Sequence, residues 1–365
     1  MKKKSALSKD NRHAEMQVSD FDYTLPPELI AQKPLPKRDD SRMMVLDRRT
    51  GYISHRHFHD FPCCLHKGDV LVINSSKVIP ARVWGRNKES EIEFLFLNEI
   101  KQGLWKVLCR PARKVRANDN IRFSERLEGR VTGRLTEGMR TIQFNTKEVL
   151  DELKHIGYPP LPPYIKRDKS QTEARSTDLE RYQTVFARKE GSIAAPTAGL
   201  HFTREILHGI SRKGVHIASI HLDVGLATFQ PVREKRVQDH RMLAERFSIS
   251  PKTARIINNA KKESRPVVAV GTTTVRTLES AARIDGSSTE TGTIANGVHE
   301  TGLFIYPGHE FIVPDRLLTN FHLPKSTLLM LTAAFAGKEF ILEAYEEAVR
   351  RKYRFFSYGD CMLIL

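Results

Sequence analysis

Hydrophobic and polar residues alternate in short runs between residues 69 and 145, and turn-forming residues separate these runs at intervals of roughly 8–12 residues. The clearest run spans residues 91–97. In it Ile92, Phe94 and Phe96 share one face of an extended chain and the glutamates share the other, as in a half-buried strand. The runs cover residues 69–73, 81–84, 91–97, 104–108, 129–136 and 139–144. We interpret this region as an antiparallel β-barrel inserted into a larger domain.

In the second half of the chain the pattern changes to a succession of helices and strands. Thr203 can cap one helix, and Ser250 opens another with Pro251 in the favoured first position. A short apolar strand at residues 266–270 precedes Thr272, which we expect to cap the next helix. This alternation favours an α/β domain.

The predicted fold class is therefore α/β: a larger mixed α/β domain with an inserted antiparallel β-barrel domain. A length of 365 residues is long for a single core and agrees with two domains. The predicted divisions are a flexible basic tail at residues 1–16, a discontinuous α/β catalytic domain at 17–66 and 152–365, and the inserted barrel domain at 67–151.

Charge points to a polyanionic partner. The chain has 59 lysines and arginines against 43 aspartates and glutamates, which gives a net charge of +16. Such an excess suits nucleic acid, because each phosphate that a protein neutralises releases condensed counterions. A merely soluble basic surface is the alternative, so the charge suggests nucleic acid without proving it.

The cysteines and apolar runs bear on the compartment. The cysteines are Cys63, Cys64, Cys109 and Cys361, and they form neither a Cys-x-x-Cys zinc spacing nor a disulfide framework. A reducing cytoplasm fits them best. The basic N-terminus lacks the apolar stretch of a secretory signal. The longest apolar run, residues 328–336, is far shorter than the roughly 20 residues that span a bilayer. We expect a cytoplasmic protein with no membrane segment.

Three segments rich in small residues predict the walls of one site: residues 192–202, 270–280 and 319–327. Small residues around a proline and a glycine let the backbone of the first segment approach another group closely. Its apolar surroundings can also shift the behaviour of His201.

The turn from the strand at residues 267–270 into the following helix is a candidate anion site. Gly271, Thr272 and Thr273 open the helix, where free backbone N–H groups and the helix dipole favour phosphate or carboxylate. Arg276 follows about one turn later and can complete an anion clamp. The alternative is an ordinary strand-to-helix turn that the threonines cap. The segment is neither a P-loop nor a dinucleotide-binding loop.

Imidazoles are the candidate acids and bases. His201, His221 and His322 each lie in a loop or strand end rich in small residues, and Asp223 shares the strand face of His221. General acid–base work or contact with a nucleobase is one interpretation, and structural hydrogen bonding is the other. No His-x-x-x-His or cysteine pair supports a metal site, and we predict none.

Basic residues near the predicted barrel are candidate contacts for a nucleic-acid backbone. They are Lys77, Arg82, Arg110, Arg113, Lys114 and Arg116. Farther along, Tyr164 combines with Lys166 and Arg167, a pattern that suits an unstacked base with its phosphates. A solvated charged loop is the alternative for these residues.

Together these motifs resemble the S-adenosylmethionine:tRNA ribosyltransferase-isomerase family of the queuosine pathway. The resemblance covers nearly everything after residue 17, and its runs are long and in order. The segments that carry it are residues 21–26, 69–74, 77–82, 160–167, 180–187, 194–203, 271–280, 320–327 and 355–360.

The resemblance implies an enzyme that transfers and isomerises the ribosyl part of S-adenosylmethionine onto 7-aminomethyl-7-deazaguanine at the wobble position of tRNA. Epoxyqueuosine forms, and adenine and methionine leave. S-adenosylmethionine is then a consumed co-substrate, with neither a metal nor a redox cofactor expected. The implied partners are tRNA and S-adenosylmethionine, and a monomer is the family expectation. The implied fold is an α/β domain with an inserted barrel.

This chemistry suggests roles for the candidate residues. A base must remove a proton from the sugar C5′ beside the sulfonium, and departing adenine and the aminomethyl group each need a proton moved. We expect acid or base roles for His201, His221 and His322. Asp223 would orient an imidazole, and Glu279 would contact the sulfonium or the aminomethyl group. The other expected substrate-binding residues are Thr197, Gly199, Gly271, Thr272, Thr273 and Arg276, the last four holding the methionine carboxylate or an RNA phosphate.

Two other functions fit part of the sequence. An S-adenosylmethionine methyltransferase would show a glycine-rich loop after its first strand and an acidic residue ending the second, and neither arrangement is present. A non-catalytic RNA-binding protein would explain the charge but not the histidine segments. Release of adenine during incubation with tRNA and S-adenosylmethionine separates the three functions.

Overall fold

The computed structural model describes residues 15–135, 138–167, 172–225, 232–284 and 292–365. The predicted basic tail at residues 1–16 lies outside these ranges except for its last two residues. Within the described ranges, no helix combines the length and the apolar character that crossing a bilayer requires.

Strands and helices of the described residues are numbered in chain order. The strands are β1 (Arg42–Asp47), β2 (Tyr52–His57), β3 (Val70–Asn74), β4 (Ser76–Val78), β5 (Arg82–Arg86), β6 (Glu91–Lys101), β7 (Leu104–Arg110), β8 (Asn120–Arg122), β9 (Glu128–Arg134), β10 (Met139–Phe144), β11 (Lys189–Ser192), β12 (His216–Leu222), β13 (Glu245–Ile249), β14 (Val267–Val270), β15 (Gly297–Thr301), β16 (Arg316–Asn320) and β17 (Cys361–Ile364). The α-helices are α1 (Val149–Ile156), α2 (Thr172–Arg181), α3 (Arg204–Arg212), α4 (Pro251–Lys262), α5 (Thr272–Ala281), α6 (Thr327–Ala336) and α7 (Lys338–Arg350). Short 3-10 helices cover Val18–Phe21, Pro27–Leu29, Arg38–Asp40, Phe58–Cys64, Ala112–Lys114, Thr197–His201 and Val237–Asp239.

One large sheet organises the main domain. Within the described residues it has nine strands in the order β15, β13, β12, β3, β14, β16, β17, β1, β2. The central strands β12, β3, β14 and β16 run parallel to one another. Their carboxyl ends therefore meet at one edge of the sheet, which is where open α/β sheets usually bind ligands.

The prediction that residues 69–73 belong to the barrel is wrong, because β3 lies at the centre of the large sheet. Val70 and Val72 enter one core, whereas Leu71 and Ile73 enter the other. A strand covered on both faces shows a continuous apolar run, and such a run does not reveal which sheet it joins. The strands of the barrel start only at β5 and end with β10.

Helices cover both faces of the large sheet. The first core takes apolar residues from α4, α5, α6 and α7, among them Ile257, Leu278 and Leu331. The second core takes Ile210 from α3 and Phe58 from the 3-10 helix Phe58–Cys64. This layered arrangement confirms the predicted α/β class.

The inserted region closes into a barrel with the strand order β10, β7, β6, β5, β8, β9. Ile92, Phe94 and Phe96 on β6 point inward and are at most 1 % exposed. They pack in one cluster with Trp105 and Phe144. The alternation that predicted a half-buried strand here is therefore confirmed, and so is the inserted antiparallel barrel.

Helix starts follow the predicted caps in two cases and differ in one. The Thr203 side chain accepts a hydrogen bond from the backbone of α3, and Ser250 does the same for α4, where Pro251 takes the first helical position. The prediction that Thr272 caps α5 is wrong. Gly271 occupies the N-cap with φ = +87°, a conformation that favours glycine, so Thr272 is already helical.

Gly157 joins the barrel to the rest of the chain. It follows α1, and the next residue, Tyr158, exchanges two backbone hydrogen bonds of 3.1 and 2.8 Å with Arg82 on the first barrel strand. A Cβ on Gly157 would lie 2.0 Å from the carbonyl oxygen of Pro80, which is a backbone atom and cannot rotate away. The junction therefore requires glycine for space.

Gly157→Ala should lower the free energy of unfolding by about 1–3 kcal/mol, because the methyl group must displace the Pro80 backbone. Urea unfolding followed by circular dichroism measures the change. Gly209→Ala is the matched control: Gly209 lies within α3 with nothing within 4 Å of the added Cβ. That variant should gain about 0.5–1 kcal/mol from helix propensity. Equal stability of Gly157→Ala and wild type would contradict the steric argument.

Candidate active site

The segment Ser192–His201 lies across the carboxyl edge of the parallel strands. At one end the Ser192 hydroxyl accepts from the Val224 amide at 2.9 Å, just beyond β12. In the middle a Cβ placed on Gly271, after β14, would be 3.8 Å from that of Ala198. At the other end the 3-10 helix packs against β16. The three segments predicted as walls of one site therefore meet at this edge.

His221 and Asp223 form a hydrogen-bonded pair at the end of β12. The His221 Nε2 atom lies 2.7 Å from Asp223 Oδ1. Because a carboxylate only accepts hydrogen bonds, we assign the proton of the neutral ring to Nε2, and in that tautomer Nδ1 has a free lone pair. Nδ1 is buried and has no partner among the described residues. The sequence predicts that the two side chains share a strand face; they do meet, although β12 ends at Leu222 and Asp223 directly follows it.

Neighbouring residues fix this pair in place. Asn74, at the end of β3, accepts from the Leu222 amide at 3.1 Å and donates to the Leu222 carbonyl at 3.3 Å. Gly191 has φ = +144°, and a Cβ there would lie 2.9 Å from Asp223 Oδ1. Glycine at this position therefore leaves room for the carboxylate.

His201 is buried, at 3 % exposure, among apolar and basic residues. Its Nδ1 atom lies 2.9 Å from the Ser41 hydroxyl, and its ring lies 5.3 Å from that of Phe58. Burial, together with the positive charges of Arg38 and Arg354, lowers the pKa of His201 to about 4, although the side chain of Asn320 opposes the change. The ring is therefore neutral at physiological pH. Its buried Nε2 makes no hydrogen bond of normal geometry to another described residue.

His322 is also neutral but is held on several sides. Its Nε2 atom lies 2.8 Å from the Thr319 hydroxyl, its amide donates to the Tyr345 hydroxyl at 2.9 Å, and its carbonyl accepts from the Tyr23 hydroxyl. Burial lowers the pKa of His322 to about 3. These contacts fix the position of the turn after β16.

The start of α5 supplies polar groups without partners. The Thr273 hydroxyl is buried and unpaired among the described residues, and so is Nη2 of Arg276, a residue only 3 % exposed. Arg276 also forms a buried ion pair with Glu245 and donates to the Leu303 carbonyl at 3.0 Å. A cavity of about 10 Å³, lined by Thr272, Thr273 and Arg276, lies beside them. The arrangement can bind a single oxygen of an anion or a water.

The Glu279 carboxylate makes its contacts with other residues of the protein. Its Oε1 accepts from the amides of Ile312 and Val313 at 2.9 Å each, and its Oε2 accepts from Arg283 at 2.6 Å and lies 3.0 Å from His309 Nε2. The carboxylate is fully buried. These contacts favour a structural role, in which Glu279 holds the chain before β16, over the predicted contact with substrate.

A cleft of about 650 Å³ separates the barrel from the carboxyl edge. Asp223 lies in its wall, and three further carboxylates line it as well: Glu99 from the barrel, Glu245 from β13 and Glu300 from β15. Trp105 and Lys106 complete the barrel side. Of these residues the sequence predicts only Asp223, because its motifs present the barrel's basic residues as RNA contacts and do not indicate that the barrel forms a wall of the site.

Several of the predicted RNA contacts also form hydrogen bonds or ion pairs within the protein. Lys77 pairs with Glu190 at 2.9 Å, and Arg82 donates to the Leu161 carbonyl at 2.9 Å. Arg167 forms a two-point ion pair with Asp178, at 2.6 and 3.0 Å.

Tyr164 is half-buried, and burial raises its pKa to about 12. Its hydroxyl lies 2.7 Å from that of Ser357. By contrast Arg110 and Lys166 are exposed, and neither side chain pairs with a carboxylate of the described residues. Thr197 and Gly199 lie in the 3-10 helix over the edge, where Gly199 leaves space for Phe186 and Thr184.

Histidine, cysteine and acidic residues do not gather into a metal centre in the described ranges, where no three of them lie close enough to hold an ion. His57 and His59 stack with ring centres 5.3 Å apart.

Comparison with known proteins identifies the family of this chain. A family described as "Queuosine biosynthesis protein" matches residues 18–364. A curated relative from Thermotoga maritima, named S-adenosylmethionine:tRNA ribosyltransferase-isomerase, is 49 % identical over 352 residues, which are 96 % of this chain and all of the relative. A relative of the same name from Moorella thermoacetica is 49 % identical over 355 residues, again 96 % of this chain and all of the relative.

A solved structure is also similar. The crystal structure of S-adenosylmethionine tRNA ribosyltransferase from Thermotoga maritima aligns with a TM-score of 0.55 and 40 % identity, and the alignment covers 95 % of this chain and all of that one. These similarities confirm the resemblance that the motifs carry. The chain belongs to the queuosine biosynthesis family of enzymes.

Proposed function

We propose that this enzyme transfers and isomerises the ribosyl moiety of S-adenosylmethionine onto 7-aminomethyl-7-deazaguanine at the wobble position of tRNA, giving epoxyqueuosine-tRNA, adenine and methionine. The names of the relatives support the reaction class. The observation that carries the proposal is the His221–Asp223 pair at the wall of the acid-lined cleft. In this proposal S-adenosylmethionine is a consumed co-substrate and no further cofactor takes part.

The charge of the cleft suits the two reactants. S-adenosylmethionine carries a sulfonium, and the aminomethyl group arrives as an ammonium. Carboxylates at Glu99, Asp223 and Glu300 stabilise positive charge in a partly enclosed space, where electrostatic attraction is stronger than in bulk water. The same carboxylates can accept the proton that the aminomethyl nitrogen must lose before it attacks.

The His221–Asp223 pair is the proposed base. The sulfonium acidifies C5′ of the ribose, and a neutral imidazole nitrogen with a fixed direction can take that proton. Asp223 holds the protonated Nε2 and stabilises the imidazolium that forms. Asp223 thus acts by position and charge, whereas His221 Nδ1 would contact the reacting atom.

His201 and His322 are proposed to serve as neutral groups beside the departing adenine. His201 offers an unpaired Nε2 for a hydrogen bond to a base nitrogen, and the hydrogen bonds of His322 keep the turn after β16 in position. The unpaired groups of Thr273 and Arg276 are proposed to bind an oxygen of the methionine carboxylate. At both places a ligand would meet buried polar groups that no described residue satisfies.

Adenine release tests the function and the base together. Wild type incubated with S-adenosylmethionine and tRNA bearing the aminomethyl base should release adenine, and His221→Ala should slow this release by about 10²–10⁴-fold, the usual contribution of a general base. Asp223→Asn should reduce the rate as well, because an amide can present the wrong partner to Nε2. Liquid chromatography of adenine measures both.

His216→Ala is the matched control, since His216 is exposed and lies on the same strand, β12. Its rate should equal that of wild type. A near-normal rate in His221→Ala would remove this residue as the base. Formation of S-adenosylhomocysteine with a methylated tRNA, in place of adenine, would overturn the proposed reaction.

The neutral imidazoles predict how stability depends on pH. The folded pKa values of His201 and His322, about 4 and about 3, lie below the ordinary value of 6.5. Their contribution to stability is therefore complete above pH 6.5 and is lost as the pH falls toward 4 and 3. Between pH 7.5 and pH 5, His201 alone should cost the folded state on the order of 2 kcal/mol.

Urea unfolding at several pH values checks this expectation. His201→Gln should lose less stability than wild type between pH 7.5 and 5, whatever its stability at neutral pH. His208→Gln, a change at an exposed histidine on α3, should keep the wild-type pH dependence. Parallel pH curves for wild type and His201→Gln would show that the buried ring is not the source of the acid sensitivity.

A further inference from the structure

A concave groove runs along the outer surface of the barrel beside the cleft, with a volume of about 1200 Å³. One wall is the loop after β7, with residues 112, 113 and 115–117, and the other is formed by residues 134, 135 and 138–140 of β9, β10 and the chain between them. Lys106 lies on its floor. We call this surface the barrel groove.

Arg140 holds the two walls of the barrel groove together. It is 3 % exposed, and its guanidinium donates to the carbonyls of Ala112 at 2.8 Å, Val115 at 3.1 Å and Met139 at 2.9 Å. All three acceptors are neutral backbone groups, so no carboxylate among these contacts neutralises the buried charge. The Arg140 guanidinium is therefore a positive charge held in one position beneath the groove, and its hydrogen bonds keep the two walls together.

Exposed arginine side chains form the rim of the barrel groove. Arg113, Arg116 and Arg134 are exposed and line it, and none of them has a side-chain hydrogen bond or ion pair to another described residue. The described lining contains no aspartate or glutamate. These arginines differ from Lys77 and Arg167, whose charges are paired within the protein. Free cations along one concave surface are what a polyanion requires.

The barrel groove is continuous with the cleft. Lys106 and Met139 line both of them. The acid-lined cleft suits the cationic reacting groups, and the basic groove next to it suits a chain of phosphates. A single ligand with a cationic reacting nucleotide and a polyanionic backbone matches both surfaces at once.

We propose that the barrel groove binds the phosphate backbone of tRNA next to the nucleotide whose base enters the cleft. The inference rests on the proposed function for the identity of the RNA. Arg113, Arg116 and Arg134 contact phosphates, Lys106 marks the point where the backbone passes toward the cleft, and Arg140 keeps the walls at a fixed separation. Phosphate contacts of this kind set position and orientation and carry no sequence preference of their own.

The test compares two triple variants of the full chain with equal changes in charge. The first, Arg113→Gln/Arg116→Gln/Arg134→Gln, removes the free cations of the barrel groove. The second, Arg86→Gln/Arg122→Gln/Arg126→Gln, removes three exposed arginines of the same barrel that line neither the groove nor the cleft. The probe is an unmodified tRNA transcript, whose affinity is measured by fluorescence anisotropy at several salt concentrations.

The groove variant should bind the transcript at least ~10-fold more weakly at low salt, and the slope of log affinity against log salt should fall by about 2, or roughly 0.7 for each phosphate that is no longer neutralised. The control variant should keep the slope and the affinity of wild type within about 2-fold, because few of its charges face the RNA. The control variant should also release adenine at the wild-type rate, because its arginines line neither the groove nor the cleft.

A wild-type affinity and slope in the groove variant would overturn the proposal, and so would equal decreases in both triple variants, which would indicate a general effect of charge. Adenine release by wild type is measured separately. Binding with a steep salt dependence but no release of adenine would contradict the proposed function while supporting the groove. Release of adenine by wild type, together with unchanged tRNA binding by the groove variant, would support the proposed function and contradict the groove.

Discussion

The shared direction of β12, β3, β14 and β16 is the constraint on which the site depends. Apolar side chains cover both faces of these strands, and polar residues occur where each strand ends. Since the strands are parallel, those ends lie side by side. Residues more than a hundred positions apart in sequence, such as Asn74 and His221, thus come to one edge of the sheet.

The point at which the barrel is inserted into the chain, after β3, then determines where the barrel lies relative to the sheet. The chain leaves β3 at the carboxyl edge, forms β4 against β11, and enters the barrel at β5. It returns through α1 to Gly157 and Tyr158, and Tyr158 pairs with the start of β5. The first connection is short, because β5 begins only eight residues after β3 ends at the carboxyl edge of the sheet. The barrel must therefore face the strand ends, and a cleft between the two domains follows from the topology.

Local signals in the sequence were sufficient for most elements and for part of the site. Alternation identified the inward face of β6, cap residues identified the starts of α3 and α4, and the spacing of His221 and Asp223 indicated that their side chains lie together. The assignment of β3 could not be made in this way, because a fully apolar strand has no polar face to orient it. The commitment of Glu279 to distant amides was also invisible, since its partners arrive only through tertiary contacts.

Charge that is used inside the protein has to be separated from charge that is left for a ligand. A net charge of +16 gives the expectation of an anionic partner but no location for it. Lys77, Arg82 and Arg167 take part in internal contacts, whereas the exposed arginines of the barrel groove have no such partners among the described residues. Buried polar atoms without a partner at the strand ends also indicate where a ligand can bind. Each such atom costs about 1–3 kcal/mol of stability unless it gains a hydrogen-bond partner. A charged nucleotide with its phosphate backbone would therefore supply partners at both surfaces, for buried unpaired atoms at the edge and for exposed arginines along the groove.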